Sequence, residues 1–154
     1  MTTIELVPIG QVTSARAEPV DDDWDLVEAV IELDHAQLGA DATAGLDAFS
    51  HVEIFYHFHA ADPAKRERGA RHPRGRTDWP KVGIFAQRGK GRPNRIGVTT
   101  CDIVAVDGLT VRVRGLDAID GTPVLDIKPH MTGFAPRGEV REPAWVKEIM
   151  KEYW

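Results

Sequence analysis

The sequence is sparing with several residues and patterns that would place it in a special class. A single cysteine, Cys101, excludes an internal disulfide and suits a reducing compartment, so a cytoplasmic location is expected. It lies in the β-type run "VTTCDIV", with no helix start in view to lower its pKa, and reads as a buried, inert thiol. No apolar run approaches the roughly 20 residues that cross a bilayer as a helix, so no membrane partner is expected. The opening "MTTIELVPIG" lacks the basic start and long apolar stretch of a secretory leader. Internal repeats and low-complexity segments are absent, and helical periodicity is scarce.

What is present fits one domain spanning residues 1–154, with 42% hydrophobic and 28% charged residues, an ordinary balance for a globular chain. The net charge of -5 is unevenly spread. Residues 65–95 carry eleven Lys or Arg against Glu67 and Asp78, a local sum of +9, so the remainder sums to -14. Residues 18–34 alone hold eight acids and no base. A confined basic stretch on an acidic protein points to an anionic partner held at one place, nucleic acid among the candidates.

Period-two alternation dominates the rest. In "SHVEIFYHFH" Val52, Ile54, Tyr56 and Phe58 share one face, and in "LTVRVRG" Leu109, Val111 and Val113 do the same, as half-buried strands require. "IELVPIG", "DLVEAVIELD", "VGIFAQR", "GVTTCDIVAV" and "PVLDIKP" also read as strands. Asp107-Gly108 marks a hairpin, since both residues tolerate positive φ. A short helix is expected from Asp62-Pro63 to Arg68, and a final one in "EPAWVKEIMKEYW" with Trp145, Ile149 and Tyr153 on one face. Six or seven short strands with few helices predict a mainly β fold, a small β-barrel or a sandwich.

Several chemistries fail on spacing. Gly89-Lys90-Gly91 lacks the Ser or Thr and the following helix of a nucleotide-phosphate loop. His57 and His59 share a strand face about 6.6 Å apart by strand rise, but no Cys or carboxylate pattern completes a zinc site, so no metal is expected. No G-x-S-x-G elbow is present. In "GLDAIDGTPVLDIKPH" the Asp120-Gly121 pair suits a turn, and Asp126 with Lys128 suits an ion pair on one face of a strand.

Three segments in fixed order, "GLDAFSHVEIFYHFH" (45–59), "GIFAQRGKGRPNRIGVTTC" (83–101) and "GLDAIDGTPVLDIKPH" (115–130), resemble the TrmO family, also described as YaeB- or TsaA-like. The resemblance runs over residues 4–130. It implies a β-barrel methyltransferase that uses S-adenosylmethionine, forms homodimers, and methylates the exocyclic nitrogen of threonylcarbamoyl-adenosine in tRNA. By motif position, it assigns the methyl donor to His59 and Ala60, to Arg88, to Val98, and to Gly115, Leu116 and Asp117. Arg88 is then the partner of the donor's carboxylate. The basic loop, with Lys90, Arg92, Asn94 and Arg95, together with Asp126 and Lys128, is expected to face the acceptor. No catalytic base is singled out, with His59 and Asp126 both open. Two other readings stand beside this one: the same chemistry on a small molecule, and a non-catalytic barrel that binds RNA or senses the donor.

The pattern departs from the family at four places. The P-R-Q-P element is replaced by the acidic "ARAEPVDDDWD", and S-P-F by "GKG". Arg95 stands where the family has Pro, and His130 where it has Tyr. The chain also stops at Trp154, before the additional C-terminal domain of longer members.

Overall fold

The computed structural model describes residues 1–154. Six antiparallel strands close into a barrel: β1 (Gly10–Ser14), β2 (Glu28–Leu33), β3 (His51–His57), β6 (Ile96–Asp107), β7 (Thr110–Arg114) and β8 (Pro123–Pro129). Their order around the wall is β1-β2-β7-β6-β3-β8. Two short strands, β4 (Ala70–Arg71) and β5 (Val82–Gly83), pair outside it. The expected barrel is therefore observed.

The alternation read from the sequence fills the interior. Val12, Ala29, Ile31, Val52, Ile54, Tyr56, Cys101, Val111, Val113 and Val124 are buried together, and Leu116 and Ala118 join them from one end. A barrel this narrow is packed solid by its own side chains. The Asp107-Gly108 hairpin joins β6 to β7 as expected, with Gly108 at φ 54. Cys101 is buried; burial, then the charges of Asp117 and Asp102, pushes its thiol up to about 12.

Three expected elements depart from their patterns, and β1 at Gly10–Ser14 follows the expected strand at 4–10 instead of coinciding with it. Residues 4–9 are not strand, and Ile4, Leu6 and Val7 are exposed; Pro8 removes a ladder donor in the middle of that run. The run "VGIFAQR" pairs only at Val82–Gly83 and then turns through Ile84–Ala86. There the Gln87 amide donates to the carbonyls of Arg71 and Val82, replacing the ladder. The helix expected from Asp62 is a single turn, Pro63–Lys65.

The final helix α1 covers Ala144–Ile149. Beyond it the Asp23 and Trp24 amides donate to the carbonyls of Glu152 and Tyr153, both at 2.9 Å. Trp79 Nε1 donates to Glu148 at 2.6 Å. These tertiary bonds bend the chain back onto the barrel, where a short isolated helix is marginal. Trp145, Ile149 and Tyr153 are half-buried along this segment. No helix is long and apolar enough to cross a membrane.

Candidate functional site

One end of the barrel is closed by the chain itself. β7 ends at Gly115, whose φ of 82 lets the backbone turn sharply across the mouth. Leu116 and Ala118 then plug the opening, and Asp120-Gly121 forms the turn into β8. Ser14 N–H donates to Asp120 at 2.9 Å, tying the crossing segment to β1.

Between the two plugs, Asp117 gathers hydroxyls from three elements. Tyr56 of β3 donates to Oδ1 at 3.0 Å, and Thr99 of β6 donates to the same oxygen. Tyr153 reaches Oδ2 from the segment after α1. Tyr56 is aimed here by a β-bulge, because the β3–β8 register shifts between Phe55 and Tyr56. Its ring also sits against Gly97 on the next strand. A Cβ at Gly97 would come within 2.6 Å of that ring, so only glycine fits. Burial, then the Asp117 charge, raises both phenols well above the usual tyrosine range, so both keep the protons they donate.

Arg88 approaches the same mouth from the loop after β5. Its Nη2 donates to the Val98 carbonyl at 2.6 Å, and its charge acts on both Tyr56 and Tyr153. The guanidinium is exposed, with its remaining N–H groups free for a carboxylate. His59 follows β3 by two residues and sits beside the crossing segment, its Nε2 3.7 Å from where a Gly121 Cβ would stand. Ala60 is exposed next to it. The structure thus groups His59, Ala60, Arg88, Val98 and the run 115–117 around one end of the barrel.

The residues expected to face an acceptor divide. Lys90 Nζ donates to the Pro19 carbonyl at 3.3 Å, and Arg92 Nη1 to that of Gln87 at 2.9 Å. Arg95 Nη1 donates to the Ala61 carbonyl at 2.8 Å, and Asn94 is exposed in the same loop. Asp126 and Lys128 lie elsewhere, on the outer wall, opposite Phe55 and Glu53, and form a 3.1 Å ion pair. No group of three His, Cys, Asp or Glu is placed to hold a metal.

The model of the tRNA-methyltransferase O N-terminal domain matches residues 15–135, a span that holds the mouth and the basic loop. The chain belongs to the TrmO family. A probable S-adenosyl-L-methionine-binding protein of Pyrococcus abyssi is 33% identical over 144 residues, covering 87% of this chain and 72% of the relative. The tRNA (adenine(37)-N6)-methyltransferases of Escherichia coli and Homo sapiens are each 38% identical over 60% and 64% of this chain. The chain spans only 40% of the bacterial enzyme and 22% of the human one. The crystal structure of TrmO from Pseudomonas aeruginosa superposes with a TM-score of 0.72 at 28% identity, over 91% of this chain and 62% of the other. Like that structure, this TrmO-family chain is built on the barrel.

Tyr56, Thr99 and Tyr153 were not among the site residues read from the sequence. Tyr56 and Thr99 occupy inward strand positions, where a hydroxyl without a partner is costly; that was the signal available. Tyr153 carried no such signal, because its partner is set by the fold of the last ten residues.

Proposed function

We propose that this protein is an S-adenosylmethionine-dependent methyltransferase acting on tRNA, with the exocyclic nitrogen of threonylcarbamoyl-adenosine as the acceptor. The observation that carries the reading is the convergence of Arg88, Val98 and Asp117 at the closed end of the barrel. The names of the bacterial, mammalian and archaeal relatives support it.

The residues present fit the donor. Arg88 is exposed and anchored through one nitrogen, leaving a fork of N–H groups for the amino-acid carboxylate. Backbone groups of His59–Ala60, Val98 and Gly115–Leu116 surround the place for the adenosine part, and Asp117 offers a carboxylate for its hydroxyls. When bound, the donor supplies a methyl group on a positively charged sulfur. Transfer needs the acceptor nitrogen held in line with that methyl, so the contribution of this chain is positioning. Arg88 fixes the donor's charged end, and the Tyr56–Thr99–Asp117 network holds the crossing segment rigid. The side chains of Lys90, Arg92 and Arg95 are positioned by backbone carbonyls and not by carboxylates, which suits a phosphate backbone. The reading includes a homodimer with the donor near the subunit interface, and light scattering of the purified protein tests that part.

Calorimetry with S-adenosylmethionine should show binding, and tRNA from cells lacking the modifying enzyme should gain label from methyl-labelled donor. Absence of binding at millimolar donor would sink the proposal. A second reading is a barrel that binds the donor without transferring its methyl. The relative with the fullest mutual coverage among those described is named only as a donor-binding protein. Donor binding without labelling of any tRNA would select it.

A further inference from the structure

Eleven cations crowd residues 65–95, but their contacts with carboxylates are confined to Arg74 and Arg76. Most of the others rest on carbonyl oxygens or stand free. Two of them, Arg66 and Arg71, are half-buried with an Nε that has no hydrogen-bond partner, and Arg66 is the one whose charge acts on His57 together with that of Arg95. A guanidinium N–H shut from water without a partner is costly, and an anion that accepts from it relieves the cost.

The surroundings of Arg66 are cationic as well. Burial first, and then the charges of Arg95, His59 and Arg66, hold His57 below the usual histidine range. The charges that hold it down are all positive. Arg95 stands in left-handed backbone at φ 51, a conformation uncommon outside glycine that Asp23 and Arg74 share in this chain. Two 2.8 Å bonds hold it there, Phe58 N–H to the Arg95 carbonyl and Arg95 Nη1 to the Ala61 carbonyl. The same bonds fasten the turn that carries His59 and Ala60, at the donor end of the barrel.

We propose that His57, Arg66 and Arg95 frame a subsite for an oxyanion carried by the acceptor. Its ligand is a phosphate or a carboxylate, bound by two guanidinium forks and a neutral imidazole N–H beside the methyl donor. Two sources share that chemistry: a phosphate of the RNA backbone, and the carboxylate of a threonylcarbamoyl group on the acceptor base. The inference rests on the proposed RNA acceptor. It adds which anion contact selects that acceptor.

The test is the full-length Arg66→Gln variant, with binding measured to tRNA bearing threonylcarbamoyl-adenosine and to the same tRNA without it, across a salt series. Arg76→Gln is the control for lost charge, because Arg76 is already paired with Asp78. If the ligand is a backbone phosphate, Arg66→Gln weakens both tRNAs about tenfold and lowers the salt slope by about 0.7 to 0.9. If it is the carboxylate, only the modified tRNA loses about tenfold and the slope for the other is unchanged. Should Arg66→Gln fold poorly, Arg95→Gln, which also removes one positive charge from the subsite, gives the same two readouts. Wild-type affinity for both tRNAs in the variant overturns the subsite. The subsite and the methyltransferase reading fail separately. Loss of tRNA affinity in a protein that binds no donor retains the subsite and removes the methyltransferase. Normal affinity in a protein that still methylates does the reverse.

Discussion

The basic stretch contains two regions that look alike in sequence and behave differently in the fold. Around residues 74–79 the cations are spent on the protein. Arg74 grips Asp22 through two nitrogens, at 2.9 and 3.3 Å. Arg76 pairs with Asp78 and stacks on Trp79 at 4.1 Å. Around 65–71 and 88–95 the cations meet carbonyls or nothing, and their charge remains available. Density of positive charge therefore says little about binding; what matters is whether an acid has been placed within reach. The acidic run at 18–34 supplies Asp22 to one region only.

The comparison is broken most severely by Arg95→Pro, which restores the proline of the family pattern. Proline cannot adopt the φ of 51 found here, and the ring also removes the N–H that bonds the Arg92 carbonyl. Thermal unfolding should show a loss of about 3 kcal/mol. Unchanged stability would mean that the loop is free to take the family's conformation. Next, Arg88→Ala should weaken S-adenosylmethionine about tenfold in calorimetry, with stability little altered because the side chain is exposed. Unaltered donor affinity would remove Arg88 from the site. From the committed region, Arg74→Ala should cost about 0.5 kcal/mol in denaturant unfolding and leave donor affinity as it was. The smallest effect belongs to Arg76→Ala, whose pair with Asp78 is on the surface. Its melting temperature should stay within about 1 °C of wild type, and its tRNA affinity should match. If Arg76→Ala lost as much tRNA affinity as Arg66→Gln, the distinction between the two regions would fail.

The barrel was legible because its strands alternate over five or more residues, and each inward set falls on one core. Where a pattern was interrupted it misled: Pro8 ends the apparent strand before β1, and the Gln87 amide diverts the one at 82–88. The grouping of His59, Ala60, Arg88, Val98 and 115–117 was implied by the resemblance to the TrmO family and by nothing in the residues' own periodicity. What could not be read was non-local polar pairing. Tyr56 looked like another core side chain, since its partner Asp117 is 61 residues away. The pairing of Arg74 with Asp22 spans 52 residues, so no local count of charge reveals which cations are free. Tyr153 reads as part of a helical face, but the helix ends at Ile149 and Tyr153 lies in the turn beyond it, bonded to Trp24 instead.

The reach of Tyr153 into the mouth also makes an optical reporter. Its neighbour Trp154 packs edge-on against the Tyr153 ring at 4.8 Å, so any group that takes over Asp117 and displaces the phenol also moves an indole. Events at the closed end of the barrel are thereby coupled to one of the chain's four tryptophans, and its share of the emission should change with them.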